Sequence, residues 1–390
     1  MLLSNPYSVH QNHKNKWTVK VNNRYFNVNY DTVVLLRCLK NSKTYKDAYN
    51  LFLKENLASI NYSDFMVLVD NKINALKFSD LNTNHIREHN YLKLKIKLIS
   101  ERNATYLGRV FSPLFSPTLF ILLFICSILF HCFFTIPELM GFDFSFNLTS
   151  SGGYLLLLFL PVFFHEIGHI SACSKFKAQH QGIGFGFYFI FPVAYSDVTD
   201  IWTLPKYKRQ IVNLAGVFME MQYAWMIGVI ALLISDGILL QVSAFLFLLS
   251  FLSLNPLMRH DGYWIICDWA DTPNLMREST LALKKTLNFV FLNKDGNYTF
   301  TKKTFFLSCY ALLNLSALIF ILVIMYSTQT ESIISFPVSF LVFLKNLSKS
   351  MVDFGFININ NLIAFVFYVF LIRFMATFPR LIKKVKYLYN

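Results

Sequence analysis

Polar and apolar positions are unevenly distributed along the chain. The first hundred residues are polar overall; beyond them, apolar stretches of about 20 residues recur, the length needed to cross about 30 Å of hydrocarbon. They lie at 112–136, 153–174, 210–234, 238–258, 304–326 and 359–378, and predict six transmembrane helices. Ahead of them, Trp17 to Tyr30 alternates polar and apolar residues around Asn22-Asn23, a pair suited to a primed turn, and predicts a β-hairpin. Helical periodicity follows over 31–40, 44–56 and 62–76. Leu92, Leu94, Ile96 and Leu98 alternate with Lys93, Lys95 and Lys97, which predicts a strand lying over the membrane surface. The expected fold class is mainly α, a polytopic helical membrane protein with a small α+β N-terminal cytoplasmic domain. That domain covers 1–80, a connector 81–111, a four-span core 112–258, a loop with a membrane-dipping segment 259–303, and two further spans with a basic tail 304–390.

Composition supports a membrane protein. Of 390 residues, 55% are hydrophobic and 42 are phenylalanine, and the mean hydropathy is +0.43; a soluble domain is far less apolar. The net charge of +14 is read as topology rather than nucleic-acid binding. Lys93, Lys95, Lys97, Arg102 and Arg109 precede the first span, Lys175, Lys177, Lys206, Lys208 and Arg209 separate the second from the third, and Arg380, Lys383, Lys384 and Lys386 follow the last. The intervening loops 137–152 and 235–237 carry no Lys or Arg, and 327–358 carries only Lys345 and Lys349. This bias predicts both termini in the cytoplasm. No apolar h-region opens the chain, so no signal peptide is expected. The six cysteines form no C-x-x-C pair and read as small buried hydrophobes.

Candidate chemistry concentrates at His165-Glu166-Ile167-Gly168-His169, inside the second apolar stretch. H-E-x-x-H on a helix places two imidazoles one turn apart on one face, with a glutamate beside them to activate a water. Ionisable groups at such a depth cost several kcal/mol unless they coordinate an ion or line a wet cavity. A catalytic zinc takes three protein ligands, so a third must come from elsewhere. Asn255-Pro256-Leu257-Met258-Arg259-His260-Asp261-Gly262 supplies candidates: the proline interrupts the fourth span, and Asp261 follows, with His260 directly before it as a competing ligand. A straight helix would carry Asp261 about 36 Å along its span, past the histidines. Tilting, an outer extension of the helix or unwinding at Asn255-Pro256 must shorten the path.

With these motifs the chain resembles the site-2 protease family of intramembrane zinc metallopeptidases, in particular its bacterial peptide zinc metalloprotease branch. His165, Glu166 and His169, the later Asn-Pro with Asp-Gly-Tyr, and Phe191-Pro192-Val193-Ala194-Tyr195-Ser196-Asp197-Val198-Thr199-Asp200 carry the resemblance, from about Leu155 to Asn274. It implies a zinc ion held by His165, His169 and Asp261, Glu166 as general base, and Asn255 as a donor near the scissile carbonyl. Asp197 and Asp200 match family positions, but their spacing also suits a turn or helix cap, and no chemistry is assigned to them. Gly182 to Phe191 alternates small and aromatic residues, read as a membrane-dipping strand or hairpin whose flat glycine face suits an extended peptide, or as simple packing. The hairpin and three helices of the N-terminal region resemble the PqqD-like peptide-recognition domain, which implies a leader peptide bound as an added strand.

His85-Ile86-Arg87-Glu88-His89 has the inverted order of another zinc-peptidase class, but it lies in a polar connector and reads as a solvated helix. His180 reads as an interfacial loop residue. The expected function is cleavage of a membrane-associated or ribosomally made precursor peptide near the cytoplasmic side of the bilayer, with maturation or export proteins as partners. Two alternatives stay open. One is a non-catalytic, zinc-containing peptide-handling subunit of such a complex; the other is a regulated protease acting on a membrane-anchored signalling protein.

Overall fold

The computed structural model describes residues 6–13, 16–21, 24–56, 60–76, 92–141, 148–188, 191–272, 274–292, 300–348 and 358–386. The chain is mainly helical and divides into two compact units, Met1–Asp268 and Trp269–Asn390. The first opens with antiparallel strands β1 (Tyr7–His13), β2 (Lys16–Val21) and β3 (Arg24–Val28), paired in that order. The register sets Trp17 opposite Val28 and Val21 opposite Arg24, as a hairpin over this segment requires. Asn22-Asn23 and the segment His85 to His89 lie outside the described residues. Strand β1 is not part of the expected hairpin: Tyr7 and Val9 are the only apolar residues among its seven, too few for a period to show.

Helices α1 (Tyr30–Asn41), α2 (Tyr45–Asn56) and α3 (Tyr62–Ala75) follow. Asn29 caps α1 by accepting from Thr32 N, and Asn61 caps α3 by accepting from Asp64 N. Val34, Leu35 and Leu39 of α1 pack with Val19 and Val21 of β2 and with Phe52, Phe65 and Val69 of the other two helices. This is a closed core for a domain of three strands and three helices.

Strand β4 (Leu92–Ile99) leads into α4 (Glu101–Phe111), capped by Ser100, and α5 (Pro117–Phe130), which begins on proline. Helix α6 (Leu148–Phe176) carries Pro161 in its interior. Proline cannot donate to the carbonyl four residues back; Tyr223 OH of α7 donates to that carbonyl, Leu157 O, at 3.3 Å. Strands β5 (Ile183–Tyr188) and β6 (Phe191–Ser196) pair with β4 in the order β4-β5-β6, all antiparallel. The expected strand at Leu92 and the expected hairpin at Gly182–Phe191 are therefore one sheet. Its glycine face is not bare, because a Cβ on Gly184 would run into the ring of Tyr195.

Helices α7 (Lys206–Ile234) and α8 (Gly237–Ser250) form an antiparallel pair turned through Ser235, which is left-handed at φ 55°, and capped by Asp236. A 3-10 turn over Phe251–Leu254 ends α8, and α9 (Asp261–Trp269) starts afresh. In the second unit, α10 (Leu275–Leu292) packs on α11 (Lys302–Thr328), and α12 (Thr330–Ser348) packs on α13 (Ile359–Lys386). Helix α12 is unexpected from sequence: Glu331, Pro337 and Lys345 interrupt its apolar run, yet Ile333 and Phe336 bury against Ala364 and Phe367. Four helical stretches among the described residues are long and apolar enough to cross a membrane, Pro117–Leu139, Lys206–Ile234, Gly237–Leu254 and Lys302–Thr328. Helices also cover the other two predicted stretches, as α6 and α13.

Candidate metal centre

Helices α6 and α7 cross where neither carries a bulky side chain. Gly168 of α6 lies against the backbone of Ala215, and a Cβ there would collide with that carbonyl. At the next residue of α7 the close approach leaves a gap opposite the histidines. A Cβ on Gly216 would stand 2.5 Å from His165 Cε1 and Nε2 and 2.7 Å from His169 Nε2. The space occupied elsewhere by a side chain is here filled by the edges of two imidazoles.

Those imidazoles are oriented from behind by α7. His169 Nδ1 lies 2.8 Å from Val212 O, and since a carbonyl only accepts, Nδ1 carries the proton and Nε2 a lone pair. His165 Nδ1 faces Glu220 Oε1 at 3.1 Å. Residues 212, 216 and 220 are spaced by four, so one stripe of α7 supplies a carbonyl, a gap and a carboxylate to the two histidines.

The third arm arrives through the break after α8. Asn255 Oδ1 accepts from Leu257 N at 2.9 Å, turning the chain after the 3-10 turn. Gly262 then packs against the Leu254 carbonyl so closely that any Cβ would overlap it. Glycine at 262 is thus what lets α9 fold back and set Asp261, its first residue, against α6. Unwinding around Asn255-Pro256 shortens the path, and α8 itself, with 14 residues, covers only about 21 Å. A buried cluster holds α9 in place: Arg209 Nε donates to Asp268 Oδ1 at 2.9 Å and Asn213 Nδ2 donates to Asp268 Oδ2 at 3.1 Å.

The two Nε2 atoms lie 3.1 Å apart, His165 Nε2 is 3.2 Å from Asp261 Oδ2, and His169 Nε2 is 3.4 Å from Asp261 Oδ1. A tetrahedral zinc with bonds of about 2.0–2.1 Å has ligand-to-ligand edges of about 3.3 Å. Two lone pairs and a carboxylate converging on one point repel one another, and a cation at that point reconciles them. Asp261 Oδ2 and Glu220 Oε2 are moreover buried without a hydrogen bond among the described residues. His165, His169 and Asp261 are therefore a group able to hold a metal ion. Comparison with known protein families, curated proteins and solved structures returned no match to this chain.

Glu166 is buried beside His165, and its Oε2 accepts from Ser196 Oγ of β6 at 2.6 Å. The structure thus brings together four of the five expected site residues, while Asn255 is held in the turn before α9. His260 is exposed and outside the metal-binding group; its carbonyl accepts from Tyr263 N and Trp264 N at the start of α9. Asp197 is a turn cap, accepting from Thr199 N and Oγ1. Asp200 has a different place: it accepts from Lys20 Nζ at 2.6 Å, Tyr25 OH at 3.0 Å and Gln179 N at 2.9 Å. Burial works against its charge, but these donors outweigh it and hold the carboxyl below the usual range. His180 lies in the loop between α6 and β5 and is buried there, with Nε2 3.2 Å from Thr105 Oγ1. Sequence reasoning missed Glu220, Ser196 and Arg209; for Glu220 the available signal was a lone acidic residue in an apolar helix.

Proposed function

We propose that this protein is a membrane-embedded zinc metallopeptidase that cleaves a peptide near the cytoplasmic face. The observation that carries the reading is the convergence of His165 Nε2, His169 Nε2 and Asp261 on one point beside the buried Glu166. Four helices among the described residues, long and apolar enough to cross a membrane, support a membrane setting, and the Lys and Arg bias of the loops supports cytoplasmic termini. Zinc bound by His165, His169 and Asp261 would supply Lewis acidity for a peptide carbonyl and acidify a water.

The remaining work falls to side chains. Glu166 takes the proton of the attacking water and delivers it to the leaving amine, and Ser196 fixes which carboxylate oxygen is free for that task. Because Leu257 N–H pins the Asn255 amide oxygen, the Nδ2 protons remain as donors to a developing oxyanion. We assign the substrate to ribosomally made precursor peptides, recruited by the N-terminal domain. Its three strands and three helices form the kind of sheet-edged module that takes a peptide as an added strand.

Zinc content and precursor cleavage in detergent test the mechanism. Glu166→Gln is expected to retain zinc and lose cleavage by at least about 100-fold, and Asp261→Ala to lose zinc. Cleavage that survives Glu166→Gln would overturn it.

A further inference from the structure

Glu220 is the only acidic residue in α7, and it sits between the buried Met219 and Met221, two residues beyond the buried Phe218. A carboxylate in apolar surroundings costs several kcal/mol unless a cation or hydrogen bonds compensate it. Among the described residues no Lys or Arg pairs with it, and its close polar contact is with His165, Oε1 lying 3.1 Å from Nδ1. Its second oxygen is buried with no hydrogen bond among the described residues. The two histidines are served differently, since His169 is oriented by the Val212 backbone carbonyl and His165 only by this side chain.

We propose that Glu220 is a positioning residue of the metal centre. Its carboxylate stays ionised and accepts from His165 Nδ1–H, holds the ring with Nε2 toward Asp261, and adds a second negative charge to a site built for a divalent cation. The affinity for the ion then depends on Glu220 although it does not ligate it. This rests on the metal-binding reading above.

The test compares the full-length wild type with Glu220→Gln in detergent, with zinc affinity measured by competition against a chelator. Melting is followed with and without zinc. The glutamine is isosteric and can still accept from Nδ1, so only the charge is removed. The expected result is a zinc affinity lower by about 10–100-fold, a metal-free melting temperature equal to or above that of wild type, and a smaller rise on adding zinc. Glu220→Asp, which keeps the charge, should fall between the two. A wild type that binds no zinc would strike down the metal reading itself. A wild type that binds zinc no better than Glu220→Gln would overturn this inference alone. So would a Glu220→Gln protein that fails to fold, or melts lower without metal while keeping its affinity, since either marks a merely structural carboxylate.

Discussion

At Gly216 a single methyl group decides whether two imidazoles can meet. Alanine there would put its Cβ 2.5 Å from His165 Nε2 and displace the ring. The same substitution favours the helix by about 1 kcal/mol, so a loss of metal binding could not be blamed on the helix. Gly216→Ala is expected to lower zinc affinity by at least about tenfold with unchanged circular dichroism. Tyr223 poses a smaller test, because its hydroxyl serves the carbonyl that Pro161 abandons. Tyr223→Phe should cost about 1–2 kcal/mol of stability in denaturant titration and leave zinc binding intact. At this scale the sequence disclosed the groups with distinctive chemistry, His165, Glu166, His169 and Asp261. It hid Val212, whose contribution is a carbonyl that any residue type would provide, and Gly216, whose contribution is an absence.

The elements divide the labour. Helix α6 carries the histidines and Glu166, α7 backs the histidines, and α9 brings Asp261 because Gly262 permits the return after α8. The sequence announced this break through Asn255-Pro256 but not its form. Helix α8 ends at Ser250, six residues before Pro256, and passes into a 3-10 turn. The six long apolar stretches, the first three helices and strands β4 and β5 were legible from period, whereas α12 was not, and the pairing of β4 with β5 joins segments about 90 residues apart, which no local pattern encodes. Between β6 and α7, Asp200 ties the core to β2 and β3 through Lys20 and Tyr25. Its carboxyl is held below the usual range, so the tie is complete above the unfolded value of about 3.9 and is lost as pH falls through the lower folded value. Hydrogen exchange of the Gln179 amide should therefore be flat from pH 5 to 8 once intrinsic rates are removed. Asp200→Asn should accelerate it at least about fivefold, and an unchanged rate would show that the tie contributes nothing.

For the whole molecule, the charge pattern makes a topological statement that can be checked from both sides of the membrane. In a background with the native cysteines replaced by serine, Ile238→Cys should react with an impermeant thiol reagent added outside intact cells. Tyr207→Cys should react only after permeabilisation, and the opposite pattern would invert the proposed orientation. The N-terminal domain and the core belong to one compact unit, and the contact that joins them has consequences for engineering. Asn12 Nδ2 reaches Trp202 O at 3.3 Å beside the Asp200 cluster, so the seat of the domain is made of residues from both parties. The front domain is therefore not an interchangeable head. In a chimera, a foreign domain without counterparts of Lys20 and Tyr25 would hang on a loose tether, and a workable transplant must move the strand pair and the 199–203 turn together.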